Sequence, residues 1–317
     1  MKSLRRILIP LVAAATTLTI APHAQAAPDP VLASPYLYQW GAKPNPVTVM
    51  NQTGVKSFTL AFVLSDGGCN PAWDGSRSLT GSDATLIRNI RAAGGDVIPS
   101  FGGWSGRKLG QYCSSASALA GAYQKVINAY QLKAIDIDIE AAEFENGTVQ
   151  DRVLGALKIV EQNNPGIRTV ITMPTDRSGP NSWGRRLITR SKELSVPIDV
   201  WSVMPFNWGG PSDVVAGTKT SVDGLKNHVK ATFGLGDDAA YRRSGLSSMN
   251  GITDTGETIT PANFRAIRDW AAAKNLSRFT FWASNRDKGG CGGSSSDCSG
   301  TNQGTYEFTR IVAGYTG

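Results

Sequence analysis

The chain is predicted to fold as a (β/α)8 TIM barrel, a single catalytic domain of the α/β class. Three observations predict it. Eight short apolar runs rich in β-branched and aromatic residues recur at roughly one per 35 residues, the pace of a strand–helix unit. Helix-like segments separate them. The first run passes into "QWGAKPNP", without the G-x-G-x-x-G loop that marks the rival doubly wound sheet.

The eight runs are, in order, "ASPYLYQW" at Tyr36, "KSFTLAFV" at Leu60, "DVIPSFGG" at Pro99 and "KAIDIDIE" at Asp136. The second half holds "RTVITMPT" at Ile171, "DVWSVMPF" at Val203, "SGLSSMNG" at Ser247 and "RFTFWAS" at Thr280. The clearest helices are "DATLIRNIRAAGG", stopped by Gly94 and Gly95, "SALAGAYQKVINAYQ", "VQDRVLGALKIVEQNN" and "PANFRAIRDWAAAKN". The last has Thr260 as N-cap and Pro261 at the first helical position. In such a barrel chemistry gathers at the C-terminal ends of the strands.

Composition removes several function classes. Residues 1–26 read as a secretory signal peptide: Lys2, Arg5 and Arg6, then an apolar run from Ile7 to Ile20, then Ala24 and Ala26 at an A-x-A site. Export as a soluble, extracellular protein is expected, with residues 27–317 as the catalytic domain; the run falls short of the ~20 residues that span a bilayer. Cleavage after Ala26 leaves 29 basic against 25 acidic residues, a net charge of +4, without a dense basic run. No nucleic-acid or membrane partner is expected, and the protein is expected to act as a monomer. Of two histidines, His23 leaves with the signal and only His228 remains, in a polar helix-like stretch. A Ser–His–Asp triad and most catalytic zinc sites need more than that, so no metal or cofactor is expected. Four cysteines in an exported chain imply disulfides. Cys291 and Cys298 bracket the short loop "GGSSSD", which leaves Cys69 to pair with Cys113.

The densest signal is "AIDIDIE", residues 134–140. Alternate residues of a strand share a face, so Asp136, Asp138 and Glu140 point one way and Ile135, Ile137 and Ile139 the other. With the isoleucines packed against helices, the acids face the barrel interior in steps of ~7 Å, Asp136 deepest and Glu140 nearest the mouth. Closely spaced buried acids cannot all ionise, and one held protonated near neutral pH can donate a proton. A solvated edge strand or a calcium site are the other readings of three such acids. A closed barrel has no free edge for the first, and strand spacing does not wrap ligands around one ion.

The window resembles the signature strand of glycoside hydrolase family 18, the chitinase family, D-G-x-D-x-D-x-E. The last three acids match, while Lys133 and Ala134 stand where the motif has Asp and Gly. "PSFGGWSG" is similar to the family's S-x-G-G strand at Ser100, Gly102 and Gly103. "VWSVMPFNWGG" resembles its sixth strand, "RFTFWASNRD" resembles the eighth strand of bacterial chitinases, and the closing "GTYEFTRIVAGYTG" is similar to actinobacterial members. The resemblance implies a secreted, endo-acting chitinase that hydrolyses β-1,4 bonds in chitin or chitooligosaccharides with retention. An endo-β-N-acetylglucosaminidase shares the same strand; a catalytically weak sugar-binding protein shares the barrel, but such relatives typically lose the glutamate that this chain keeps as Glu140. By the resemblance Glu140 is the acid and then the base. Asp138 orients the substrate's 2-acetamido group, and Asp136 sits below it. Trp282 forms the floor under the sugar. Tyr36, Trp104 and Trp208 are sugar-stacking candidates, and Met204, Phe206 and Asn207 line the sixth strand end. Many members carry Met-x-Tyr-Asp there, so Phe206 replaces a hydroxyl that would bond the acetamido group. Asp254 and Glu257 read as lying out in a loop, and Trp73 and Trp183 as loop aromatics able to line outer subsites.

Overall fold

The structure is a computed structural model that describes residues 29–210 and 213–317. The signal segment 1–26 lies outside the described residues. Eight parallel strands run in sequential order: β1 (Tyr36–Tyr38), β2 (Ser57–Ser65), β3 (Asp96–Gly102), β4 (Ala134–Asp138), β5 (Arg168–Pro174), β6 (Val200–Met204), β7 (Ser244–Met249) and β8 (Arg278–Trp282). Each coincides with one of the eight apolar runs. Helices lie between them on the outside, which is the (β/α)8 barrel.

Seven of the eight strand junctions are backbone ladders. The eighth, between β8 and β1, is closed differently. Phe279 N donates to Leu32 O at 2.9 Å. The Arg278 guanidinium reaches Val31 O at 2.9 Å and Thr59 Oγ1 at 2.7 Å, and Thr280 Oγ1 reaches Ser34 O at 2.6 Å.

The core has two unequal parts. Outward-facing strand residues such as Ile135, Ile137, Trp201, Phe279 and Phe281 pack with the helices in the main hydrophobic core. The barrel interior has a small apolar plug at its base, Val31, Ile98, Ala134, Val170 and Val200. Above it the inward residues turn polar: Thr59, Ser100, Asp136, Thr172, Ser202 and Thr280 are all buried. Burying so many polar groups is tolerable only where they bond one another.

The helices begin where the sequence caps them. Ser115 accepts from Ala118 N ahead of Ala116–Tyr130, and Asn146 caps Gly147–Asn163. Thr260 and Asn263 form a reciprocal capping box on Pro261–Ala273, with Pro261 in the first turn. The disulfides are Cys69–Cys113 and Cys291–Cys298. Trp73 is a correction to the sequence reading. It lies in a short strand, Pro71–Trp73, antiparallel to β2, and is fully buried with Nε1 on Tyr130 Oη at 2.8 Å. A core aromatic with its N–H satisfied cannot line a sugar subsite. Trp183 likewise sits in the helix Ser182–Glu193, packed against the main core.

Candidate active site

The acid column starts from β4. The ladder ends at Asp138, but Glu140 keeps an extended backbone (φ −135°, ψ 168°), so the alternation carries through it. Ile139 N, bonded to Thr172 O at 2.9 Å, holds that extension. The three isoleucines are buried outward and the three acids face in.

Each acid meets a different environment. Asp136 is bonded by three hydroxyls: Tyr36 Oη at 2.8 Å and Ser100 Oγ at 2.6 Å on one oxygen, Thr172 Oγ1 at 2.7 Å on the other. These come from β1, β3 and β5, so the carboxylate ties the barrel together at mid-height. Asp138, one step up, is buried with Oδ1 unpartnered among the described residues. Burial first, then repulsion from Glu140 and Asp136, pushes its pKa well above the usual carboxylate range, against the pull of Lys108. Glu140 is pushed up to about 7 by burial, with Lys108 lowering it and Asp254 raising it. An acid with that pKa is protonated in mildly acidic water yet able to give its proton up.

Two glycines make room for this column. Gly102 has φ +109° and lies on the Asp138 carbonyl so closely that any Cβ would collide with it. Gly103 N then donates to Asp138 O at 2.8 Å. The S-x-G-G pattern is thus explained: Ser100 bonds Asp136, Gly102 lets β3 lie close on the Asp138 carbonyl of β4, and Gly103 leaves room for the Phe62 ring.

Aromatic residues form the opposite wall. Trp282, at the end of β8, stacks on Phe62 with centroids 5.6 Å apart and on Tyr38 at 5.2 Å, and Tyr38 stacks on Trp40 at 4.5 Å. A cavity of about 420 Å³ opens beside them, lined by Tyr38, Trp40, Met249, Asp254, Trp282 and Arg286 among others. Tyr36 departs from its expected stacking role. It is 1 % exposed, tilted beneath Trp282 at 5.7 Å, and its hydroxyl is spent on Asp136. Trp40 takes the accessible position instead, with Tyr38 buried beneath it. The sequence carried that signal, since Tyr36, Tyr38 and Trp40 alternate along one face.

The β6 and β7 ends meet at a hairpin of Gly251–Ile252 with Thr258–Ile259. Asp254 lies in its exposed turn, as the loop reading expects, and lines the cavity beside Trp282, where its charge raises Glu140. Glu257 is what departs from that reading, being enclosed. Asn207 Nδ2 donates to Asp254 Oδ2 at 3.0 Å, and Asp254 N donates to Asn207 Oδ1 at 3.0 Å. Asn207 therefore commits both ends of its amide to this hairpin. Glu257 is buried and accepts from Trp208 N, Gly209 N, Thr253 Oγ1 and Thr255 Oγ1. Trp208 is half-buried, with Nε1 on Thr175 O at 3.0 Å and the Arg177 guanidinium 5.5 Å above its ring. Phe206 packs partly buried against the main core and Met204 is half-buried at the strand end. Trp104 stands apart at 71 % exposed. His228 lies outside on the helix Val214–Phe233, with Nε2 near Thr189 Oγ1 and Arg185 O, far from this chemistry in role.

Comparison with known proteins agrees with this geometry. No family model matches the chain. Active domain 2 of a thermostable chitinase from Pyrococcus furiosus, solved as catalytic-site mutants with chito-oligosaccharides, superposes with a TM-score of 0.83. It is 28 % identical over 94 % of this chain and all of that one. In sequence and in fold the chain is similar to chitinases of glycoside hydrolase family 18. A "probable bifunctional chitinase/lysozyme" of Escherichia coli K12 is 25 % identical over 86 % of this chain. Endochitinase 11 of Metarhizium anisopliae is 24 % identical over 74 % of it. The chain spans about a third to a half of the length of these two curated relatives, 33 % and 48 %. What this barrel presents at its mouth is the acid column on β4, the close glycine contact on β3 and the indole on β8.

Proposed function

We propose that this chain is a family 18 enzyme, an exported, endo-acting hydrolase of β-1,4 bonds between N-acetylglucosamine units, in chitin or its oligosaccharides. The single observation that carries the reading is Glu140: a half-buried carboxyl at the top of the column whose pKa is pushed up to about 7, in a barrel mouth that also bears Trp282.

The chemistry follows from the separate environments of the acids. Glu140 donates its proton to the glycosidic oxygen. The substrate's own 2-acetamido oxygen attacks the anomeric carbon as the C–O bond breaks. Asp138, a buried carboxyl with an unpartnered oxygen, orients the acetamido group and stabilises the positive intermediate. Water then attacks, Glu140 takes its proton, and the product keeps the β configuration. Trp282 offers a flat apolar face to the sugar ring, and its stack on Phe62 and Tyr38 fixes its tilt.

The test is digestion of a defined N-acetylglucosamine hexamer with anomer detection, for wild type and Glu140→Gln. Internal cleavage with β products, lost in the variant, supports the reading; α products or equal release by both proteins would refute it. Colloidal chitin and a high-mannose glycoprotein, offered side by side, separate chitin hydrolysis from release of N-glycans. Sequencing the N-terminus of protein recovered from the culture medium tests export and cleavage after Ala26.

A further inference from the structure

Behind the acid column lies a buried ammonium that the proposed reaction does not use. Lys108 is 3 % exposed and precedes the short helix Leu109–Tyr112. Its Nζ donates to Gly103 O and to Ser105 O, the latter at 2.6 Å; among the described residues its bonding partners are these carbonyls. Gly103 in turn holds the Asp138 carbonyl through its N–H at 2.8 Å. Two residues past Lys108, Gly110 N donates to Glu143 Oε1 at 3.0 Å. Glu143 is buried on the helix Ala141–Phe144 that follows Glu140. The segment 103–110 is thus fastened both to the middle and to the end of the column, with one cation inside the fastening. Burying an ammonium without an ion pair is expensive, and a simple loop anchor needs no charge.

We infer that Lys108 is a positioning residue for the reaction proposed above: it ties the loop after β3 to the acid column and supplies the column's counter-charge. Burial lowers the Lys108 pKa, and the charges of Glu143, Glu140 and Asp138 raise it again, although among the described residues none of the three makes an ion pair with it. Behind Glu143 lie Tyr123, from the helix Ala116–Tyr130, and Arg152, whose Nη1 bonds Gly110 O at 2.6 Å. Asp254 faces Glu140 from the other side. In this ring of acids Lys108 is the group that lowers Asp138, Glu140 and Glu143 alike. Without it, burial and repulsion would leave the column holding its protons too tightly to release one in neutral water.

The experiment compares wild type, Lys108→Met and Lys108→Arg by the pH profile of kcat/KM on a chitooligosaccharide and by NMR titration of the glutamate carboxyls. Loss of the cation removes a stabiliser of the ionised form, so Glu140 should titrate higher. The basic limb of Lys108→Met is expected to move up by on the order of one pH unit, with the Glu140 titration moving alongside it. Lys108→Arg keeps the charge, and its limb should stay with wild type. Limb positions do not depend on the fraction of protein that is active, so a less stable variant still reads. If Lys108→Met fails to fold, Lys108→Gln, which keeps one donor to the carbonyls, takes its place. Unmoved titration in the neutral variants, with only a lower kcat, would overturn the inference and leave Lys108 a loop anchor. A wild type that turns nothing over refutes the proposed function instead, and the NMR arm then decides Lys108 by itself.

Discussion

Glu140 and Glu257 are two largely enclosed glutamates at the same end of one barrel, and their protons behave in opposite ways. Burial pushes both upward. Glu140 stays there, at about 7, because no donor reaches its carboxylate among the described residues. Glu257 ends below its usual value, because the hydroxyls of Thr253 and Thr255 and the N–H of Trp208 outweigh burial. The difference teaches that enclosure alone does not make a proton donor. An acid becomes one when it is enclosed and left without hydrogen-bond donors. The same carboxyl with donors becomes a fastening, and Glu257 fastens the turn 207–209 to the hairpin that carries Asp254.

The contrast can be broken most forcibly at Glu140. Glu140→Gln should lower turnover by about 10³-fold, the order expected for removing a general acid. It should also change stability with pH. A carboxyl whose folded pKa lies above its unfolded value destabilises the fold as pH rises through that interval, here from 4.5 to about 7. The melting temperature of wild type should therefore fall between pH 5 and pH 8 more than that of Glu140→Gln, as thermal scans at both pH values would show.

Glu257 should do the reverse. Glu257→Ala strands four donors, at a cost of about 3 kcal/mol in urea unfolding at pH 7. Because its folded pKa is depressed, the stability it gives is present above the unfolded pKa and lost as pH falls through the folded one, so the gap between wild type and variant should narrow in acid. A smaller change is expected at the foot of the column. Tyr36→Phe removes one of the three hydroxyls on Asp136 and should cost about 2 kcal/mol, the worth of a bond to a charged group, measured in the same unfolding assay. Smallest is Phe206→Tyr, which adds a hydroxyl at the β6 end. A change of a few-fold in kcat, about 1 kcal/mol, with a shift from transglycosylation toward hydrolysis in product chromatography, is expected; identical rate and product ratio would count against a tuning role for Phe206.

The two glutamates also mark what a sequence can disclose. The column is legible because alternation over seven residues is local: strand geometry alone puts three acids on one face. The caps at Ser115 and Thr260 and the eight strand positions are legible for the same reason. Asp254 is not, because its approach to Glu140 depends on a hairpin whose return path is set by contacts with Asn207 and Glu257, residues of separate elements. Lys108 and Glu143 were hidden similarly: nothing near "GRKLG" or "AAEF" shows that β3 and β4 bring them together. Tyr36 was legible in direction but not in depth, since its alternation with Tyr38 and Trp40 does not say which ring is covered.

The seam between β8 and β1 has its own consequence. Seven junctions are ladders of backbone bonds, whereas this one is carried by one backbone bond and by the side chains of Arg278, Thr280 and Asn285, the last bonded to both Tyr38 N and Tyr38 O. Amide hydrogens along it have few partners to break before they exchange with solvent deuterium, so the seam is where the barrel should breathe first. Trp282 and Tyr36 stand on its two sides. The indole on which a sugar ring would rest therefore stands beside the joint with the fewest backbone bonds, and because Tyr36 across that joint holds Asp136, an opening there would be felt at the foot of the acid column.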